Sequence, residues 1–431
     1  MKSKLVPLCI FLTAMSGQNG FAQDNSSGEE QKPVSLREFV DEVQLGNPEL
    51  RLYEQEIAAA KGGRRQAGIF ANPEMSSQIG RSRVTGGGLS DEGVAWSVSV
   101  MQTFEYPGRM ALRKAVANQD VKLAEIGLGQ FRAALDAQAN VLAFNLLAAQ
   151  RKAEASTEVA NRLEELSGVL VQRDPAGVAP LIEIRIVKSA VVAFRKRAIE
   201  ASEKLQSALF EANLLRGHPL STRLQIQEMT VALPQPFSMS DYLDAAHKNN
   251  FEIKMRAVEL EQQGLNVKLR RNERWPEISV GPFVSQQDDV ERQTIAGIGI
   301  SLPLPFWNRN SGKIETAQSR ELQAETSLYL TRLKVERSVM EHILAYQLRL
   351  RELSKWGNEA LESFREAAEL GDRHYRLGAV PIGTYMELQR EYLDAVEAIV
   401  DLQSEAIEAR EQLEVSTGLT HEIGNIEGIS K

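Results

Sequence analysis

The chain has 431 residues, 43% hydrophobic, 25% charged and only 6% aromatic, which is room for two or three ordinary domains or one elongated one. The 50 Lys and Arg against 58 Asp and Glu leave a formal charge of −8, so no polyanion-binding surface and no nucleic-acid partner is expected. Mean hydropathy is −0.28 and no apolar run reaches the ~20 residues of a membrane helix. A helical transporter is excluded, whereas a β-barrel, whose strands are short and only half apolar, is not.

The chain opens with Lys2 and Lys4 ahead of an apolar stretch from Leu5 to Met15, then Gly20-Phe21-Ala22. A basic start, an apolar core and small residues before the cut fit a secretory signal over residues 1–22, cleaved after Ala22. Cleavage removes Cys9, the only cysteine, and leaves no thiol for disulfides, redox chemistry or metal binding. The bulky Leu8 argues against a lipoprotein cleavage site, so no lipid anchor is expected. Residues 23–34 are polar and read as disordered.

The remainder of the chain is a unit written twice. Asn47-Pro48-Glu49-Leu50-Arg51 matches Asn250-Phe251-Glu252-Ile253-Lys254 at a shift of 203, as does Pro73-Glu74 with Pro276-Glu277. Val98, Val100 and Arg109 fall on Ile298, Ile300 and Arg309 at 200, and Gly177, Pro180 and Gly217 on Gly378, Pro381 and Gly418 at 201. The repeats span about 35–218 and 239–418, joined by a proline-containing linker at 219–238, with a tail at 419–431. Each begins with a short helix near Ser35 or Ser240, then a second one near Pro48 or Asn250 that stops before Asn72-Pro73 or Trp275-Pro276.

Two strands come next in each repeat, about 73–83 and 93–104, then 276–285 and 294–304. Val94, Val98 and Val100 alternate with Ala95, Ser97 and Ser99, and Ala296, Ile298, Ile300 and Leu302 with Gly297, Gly299 and Ser301. Proline-free stretches between Pro107 and Pro175, and between Pro305 and Pro381, then read as very long helices at about 109–174 and 310–377. A helix of about 65 residues extends roughly 100 Å. In the second, Leu322, Leu333, Met340, Leu344 and Leu361 recur at helical spacing, a coiled-coil-like pattern. Tight turns lead into return helices at about 180–216 and 381–417, with Gly217 and Gly418 as the glycines that end them.

Four strands of about ten residues each have the length of membrane barrel strands. Lipid supplies no hydrogen bonds, so a sheet there must close, and the smallest such barrels have about eight strands. Four strands per chain therefore demand several copies; three give twelve. Serine and glycine on the second face suit a water-filled lumen. Trp96, Phe104, Trp275, Phe306 and Trp307 near the strand ends fit an interfacial aromatic belt.

The secretory signal, the duplicated helix–hairpin–long-helix unit and the returning helices resemble the TolC-type outer-membrane efflux family, over about Ser35 to Leu419. The run Ile300-Ser301-Leu302-Pro303-Leu304-Pro305-Phe306-Trp307-Asn308-Arg309-Asn310-Ser311-Gly312 is similar to the strand-to-helix junction of its cation-efflux (Czc/Cus-like) branch. Tyr375-Arg376-Leu377-Gly378-Ala379-Val380-Pro381 resembles the family's turn between the last two helices. The resemblance implies a mainly α fold with a membrane β-barrel portion: a homotrimer with a twelve-stranded barrel and a periplasmic helical tunnel. It also implies a periplasmic membrane-fusion adaptor and an inner-membrane, RND-type pump as partners.

A duct does no bond chemistry, and neither a nucleophile–base pair nor a metal cluster is found; no catalytic residue, metal ligand or cofactor is expected. His218, His247, His342, His374 and His421 lack metal-ligand spacing. Thr85-Gly86-Gly87-Gly88 lacks the GK[ST] of a phosphate loop. Function is expected at the helical tips, the turns Arg173–Pro180 and Tyr375–Pro381, where Gly177 and Gly378 supply backbone freedom. Arg173 and Asp174 at one tip, with Arg373 and Arg376 at the other, are candidate inter-tip ion pairs. The resemblance assigns a tip tyrosine to Tyr375 and two pore-facing acids to Thr384 and Glu387, so only Glu387 keeps its charge. Three copies of Glu387 would form an acidic ring that focuses cations. The expected function is the exit duct of a tripartite efflux system for heavy-metal cations. A duct of the same fold for drugs or secreted polypeptide is one alternative; a pore-less periplasmic coiled-coil scaffold is the other.

Overall fold

The computed structural model describes residues 33–86, 89–172, 178–227, 233–288, 291–356 and 358–419. The segment read as an export signal, Arg173, Asp174, Gly177 and His421 lie outside these residues. Of the segment read as disordered, Val34 is pinned: its N–H donates to Gln225 O at 2.9 Å, and its carbonyl accepts from Gln227 N at 2.9 Å. The first repeat thus begins on a parallel bridge to the inter-repeat segment.

Both repeats start alike. Ser35 caps α1 (Leu36–Gly46) in a capping box with Glu38, and Ser238, two residues before the expected Ser240, caps α5 (Met239–Asn249). Next come α2 (Leu50–Ala67) and α6 (Phe251–Asn272). Asn47 and Asn250 are both buried at the joints. Each accepts from the helix that comes after it, Asn47 from Glu49 N at 2.9 Å and Asn250 from Ile253 N at 3.0 Å. Each also donates to the last turn of a return helix, to Leu215 O at 3.0 Å and Ser416 O at 2.7 Å. The Asn-Pro-Glu and Asn-Phe-Glu motifs repeat because this clamp does.

The long helices are α3 (Arg109–Gln172) and its return α4 (Val178–Leu215), then α7 (Ser311–Lys355), α8 (Asn358–Arg376) and the return α9 (Ile382–Thr417). Their buried positions carry the duplication: Leu135, Ala139, Ala143 and Leu146 of α3 correspond at a shift of 200 to Val335, Val339, Ile343 and Tyr346 of α7. Pro180 falls in the first turn of α4, where a missing N–H costs nothing. The return helices end as expected, with Gly217 and Gly418 at φ +68 and +65. A Cβ on Gly217 would lie 2.4 Å from Gly46 O, and one on Gly418 2.7 Å from Asn249 O. Left-handed backbone and close packing together require glycine there.

The single helix expected at 310–377 is two. Trp356 leaves helical geometry at φ −110 and ψ 49, and its N–H turns back to Leu353 O. It precedes Gly357 in the sequence, a residue of low helix propensity. Leu322, Leu333, Met340 and Leu344 are exposed on α7, and only Leu361 of α8 packs onto a core, as a partly buried neighbour. The stripe that α7 buries within the chain is the β-branched one, Val335, Val339 and Ile343, completed by Tyr346.

The strands β1 (Glu74–Gly86), β2 (Leu89–Phe104), β3 (Ile278–Asp288) and β4 (Arg292–Ser301) form one antiparallel sheet in the order β1-β2-β3-β4. The hairpins of the two repeats lie side by side although α3 to α6 separate them in sequence. One core cluster lies among α3, α4, α8 and α9; two others gather round α1 and α5 at the base of each repeat.

Candidate pore surface and helical tip

The strand register sorts the sheet into two chemically opposite faces. Met75 lies opposite Val100, Ile79 opposite Trp96, Val98 opposite Val284, Pro282 opposite Ile298 and Val280 opposite Ile300. This apolar face stands exposed in the single chain, with Ile79 83%, Ile298 75% and Ile300 73% accessible. Exposed apolar area on that scale marks a surface that meets lipid or protein rather than water. The opposite face carries Ser76 bonded to Ser99 at 2.9 Å and Thr103 to Ser279 at 2.9 Å, and Gln287 donates to Ser82. Gly297 and Gly299 leave room there for the Phe283 ring, which a Cβ on Gly297 would meet at 3.0 Å.

Charged residues bracket the apolar face. At the hairpin end Arg83 pairs with Glu92, and Arg292 with Asp288 at 3.0 Å. At the helical end Arg109 is buried, donating to Glu277 at 2.6 Å, Trp275 O at 2.6 Å and Asn272 Oδ1 at 3.2 Å. Trp275 stacks on Tyr106 at 5.4 Å, and Phe306 meets Trp307 edge-on. Phe104, Trp275, Phe306 and Trp307 thus gather at one level. Trp96 lies eight residues along β2 from Phe104, about 26 Å, and belongs to the other level.

At the far end, the turn from α8 to α9 is built by Gly378. Its φ is +76, its N–H donates to Tyr375 O at 2.9 Å, and Ala379 N donates to His374 O at 2.9 Å, a complete Schellman stop. Pro381 then sets the extended N-cap of α9. Tyr375 stacks on Tyr385 at 5.3 Å. Arg376 Nε donates to Asp372 of its own helix at 2.8 Å, and that bond raises the guanidinium pKa further. Burial, with Asp372 adjacent, holds the Tyr385 hydroxyl above its ordinary range. Gln389, fully buried, ties α9 to Ala368 O at 2.8 Å. Arg162 of α3 approaches Glu369 of α8 at 3.6 Å.

Thr384 and Glu387 both lie on the exposed face of α9. Sequence reading singled out Glu387 alone, but its carboxylate begins a longer series. Glu391, Asp394, Asp401, Glu405 and Glu408 continue it at alternating spacings of three and four along the same exposed side, interrupted once by Ala398. Three of these have basic partners: Asp394 with Arg197 at 2.7 Å, Asp401 with Lys152, and Glu405 with Arg349 at 3.0 Å. The heptad spacing of acids was visible in the sequence and is the signal that would have found the series.

Glu411, on the buried side of α9, was also missed. It is buried, holds one bond from Asn140 Nδ2 at 3.1 Å, and is pushed up to about 7 by burial, with Glu414 adding repulsion. A cavity of about 610 Å³ adjoins it, lined also by His342 and Ser416, and burial lowers the pKa of His342. Among the described residues, no three or more His, Cys, Asp or Glu side chains converge as a metal site would require. His247 is engaged with Glu336 at 2.9 Å.

The profile of the outer membrane efflux protein family matches residues 242–419, the second of the two repeats. The cobalt-zinc-cadmium resistance protein CzcC of Cupriavidus metallidurans is 23% identical over 351 residues, 79% of this chain and 81% of that protein. The pyoverdine export outer membrane protein OpmQ of Pseudomonas aeruginosa is 23% identical over 254 residues, 57% of this chain and 53% of that one. The crystal structure of the Campylobacter jejuni CmeC outer membrane channel superposes with a TM-score of 0.71 at 14% identity, covering 96% of this chain and 94% of CmeC. The second repeat thus carries the signature of the outer membrane efflux protein family and the first folds as its copy, so that the chain is similar to TolC-type exit channels over both repeats.

Proposed function

We propose that three copies of this outer-membrane chain close a twelve-stranded barrel continued by a periplasmic helical tunnel. In this reading the tunnel receives heavy-metal cations from a periplasmic membrane-fusion adaptor and an RND-type inner-membrane pump. The observation that carries the duct is the two-faced sheet with an open strand at each edge. A sheet in lipid must have no free edge, and four strands are too few to close alone. The aromatic side chains at the two levels of the apolar face fit the two membrane interfaces. Residues 1–22 act as the export signal, and no lipid anchor is needed to hold a barrel in the membrane.

The cargo assignment rests on the acidic series of α9 and on the similarity to CzcC. Carboxylates lining a narrow passage raise the local concentration of cations and lower their barrier to passage, with no tight site needed. The tip charges Arg373, Arg376 and Glu387, beside Gly378 and Thr384, are assigned to the entrance, where the passage opens and closes. Deleting the gene is the test: the strain should lose resistance to Zn²⁺, Co²⁺ or Cd²⁺ and keep its resistance to antibiotics. Drug or siderophore-export defects alone would favour a duct for organic cargo, the reading that the similarity to OpmQ supports. A purified protein that stays soluble without detergent and never conducts in a planar bilayer would leave only the scaffold.

A further inference from the structure

The helical end of the sheet rests on a collar of helix termini. Arg113 Nε, near the start of α3, donates to Ala67 O at the end of α2 at 3.4 Å. Asn272 at the end of α6 donates to Pro107 O, just before α3, at 3.0 Å. Asn310, the N-cap of α7, donates to Arg270 O of α6 at 2.8 Å. The ends of α2 and α6 and the starts of α3 and α7 therefore lie side by side at one level. Phe104, Trp275, Phe306 and Trp307 stand there. Phe70 joins them, because Ala71 O beside it accepts from Gln102 Nε2 at 2.9 Å. All five aromatic side chains are exposed.

Positive charge is concentrated at this level. Residues 64–74, 104–114, 270–277 and 304–315 hold ten Lys and Arg against five Asp and Glu, in a chain whose net charge is −8. The hairpin tips, 81–93 and 285–292, hold three against five, so the excess belongs to one end of the sheet only. Three of the collar's acids are already engaged: Glu105 by Arg113, Glu277 by Arg109 at 2.6 Å and Glu273 by Arg270 at 2.8 Å. Arg64, Arg65, Lys114, Arg271, Arg274 and Lys313 are exposed, and among the described residues none of the six has an ion pair. Each lies within about 10 Å of the aromatic level along its helix, which is the reach of a charged membrane surface at moderate salt.

We infer that this collar binds the phosphate headgroups of anionic phospholipids in the leaflet that adjoins the helices. The inference rests on the barrel reading. An aromatic belt marks where acyl chains give way to headgroups, so cations just beyond it lie at the depth of the phosphates. Four of the six are arginines, whose planar fork meets two phosphate oxygens at once. About four to eight exposed cations beside a membrane boundary suffice to gather anionic lipid. Turned toward the passage instead, the same cations would repel the cargo that the carboxylates of α9 attract.

The test reconstitutes the full chain in phosphatidylethanolamine vesicles and compares how strongly it holds spin-labelled phosphatidylglycerol and phosphatidylcholine. The unmodified protein should prefer phosphatidylglycerol about fivefold at about 0.1 M salt, and the preference should vanish at about 1 M. Arg271→Gln with Arg274→Gln, and Arg64→Gln with Arg65→Gln, should each cut it to about twofold or less, whereas the corresponding lysine pairs should keep most of it. Arg332→Gln with Lys334→Gln removes as much charge about 30 Å along α7 and should change nothing. No preference in the unmodified protein, a preference indifferent to salt, or an equal loss in the control pair overturns the collar. So does a shifted reversal potential in the glutamine pairs with lipid preference intact, which would place these cations in the passage. A chain that never enters the vesicles overturns the barrel reading itself, and the collar with it.

Discussion

The rings of Tyr375 and Tyr385 stack with 11° between their planes, so the last turn of α8 and the first turn of α9 are joined by side chains as well as by the Gly378 turn. Tyr385 is fully buried, and Tyr385→Ala should cost about 3–5 kcal/mol locally, while Tyr385→Phe keeps the stack and most of the burial. Hydrogen exchange of the α8–α9 hairpin should accelerate in the alanine variant and not in the phenylalanine one. Equal protection in all three proteins would show that the backbone turn alone holds the tip.

Glu387 begins the acidic series, and Thr384 precedes it by one turn. Glu387→Gln should reduce the cation preference of the channel, read as a smaller reversal potential under a salt gradient. Thr384→Glu should increase it, because a second ring of charge deepens the well for cations. If neither variant shifts the reversal potential, these residues do not face the passage.

Glu411 gives a pH dependence of determinate sign. Its pKa rises from 4.5 to about 7 in the fold, so the native state favours the neutral acid. The stabilisation from that proton is complete below about pH 4.5 and is lost as pH rises through about 7. Glu411→Gln should therefore match the unsubstituted protein at pH 4 and exceed it by about 2–3 kcal/mol at pH 8. Thermal melts of the helical signal at the two pH values measure this. A glutamine variant less stable at pH 8 would mean that the charged form is held, not tolerated.

Arg109 is 7% exposed on its side chain and donates in four directions, while its partner Glu277 is 47% exposed. The half-open partner can recruit water, so Arg109→Ala should cost about 2–3 kcal/mol, the low side of a broken buried pair. Arg109→Lys should recover little of it, because an ammonium cannot span Glu277, Asn272 and the Trp275 carbonyl together. Barrel insertion assayed by heat-modifiable gel mobility distinguishes the variants.

Asn250 serves two helices at once, and Asn250→Ala removes a cap and orphans the Ser416 carbonyl. The combined loss should be about 2–3 kcal/mol. Asn250→Asp keeps the acceptor for Ile253 N and loses only the donor, so it should fall between the two in thermal melts.

Most of the architecture was legible because duplication supplies its own control: a landmark in one repeat is tested by its counterpart in the other. The alternation of Ile298 and Ile300 with Gly297 and Gly299 fixed the two faces of β4. What escaped was whatever depends on which side of a helix meets another. Leu322, Leu333, Met340 and Leu344 have the periodicity of a buried stripe, yet the chain buries Val335, Val339 and Ile343 one step round the helix. Periodicity reports that a face is apolar and says nothing of whether its cover comes from the same chain. The bond of Arg376 to Asp372, four residues earlier on its own helix, was legible as an i, i+4 pair. Glu411 escaped because no local signal marks a buried acid among many exposed ones.

The stretch from Pro219 to Ser238 makes the β2–β3 contact between the two repeats a tethered one, unlike the contact between neighbouring copies that the proposed ring requires. A tether of that length holds its ends at an effective concentration in the millimolar range, so the joined side forms whether or not its chemistry is optimal, and an unfavourable acid such as Glu411 survives there. The untethered side must be found by collision, at whatever abundance the cell provides. Genetic drift is therefore unequally policed: weakening the fused side lowers a melting temperature, whereas weakening the free side changes how much protein is needed to assemble at all.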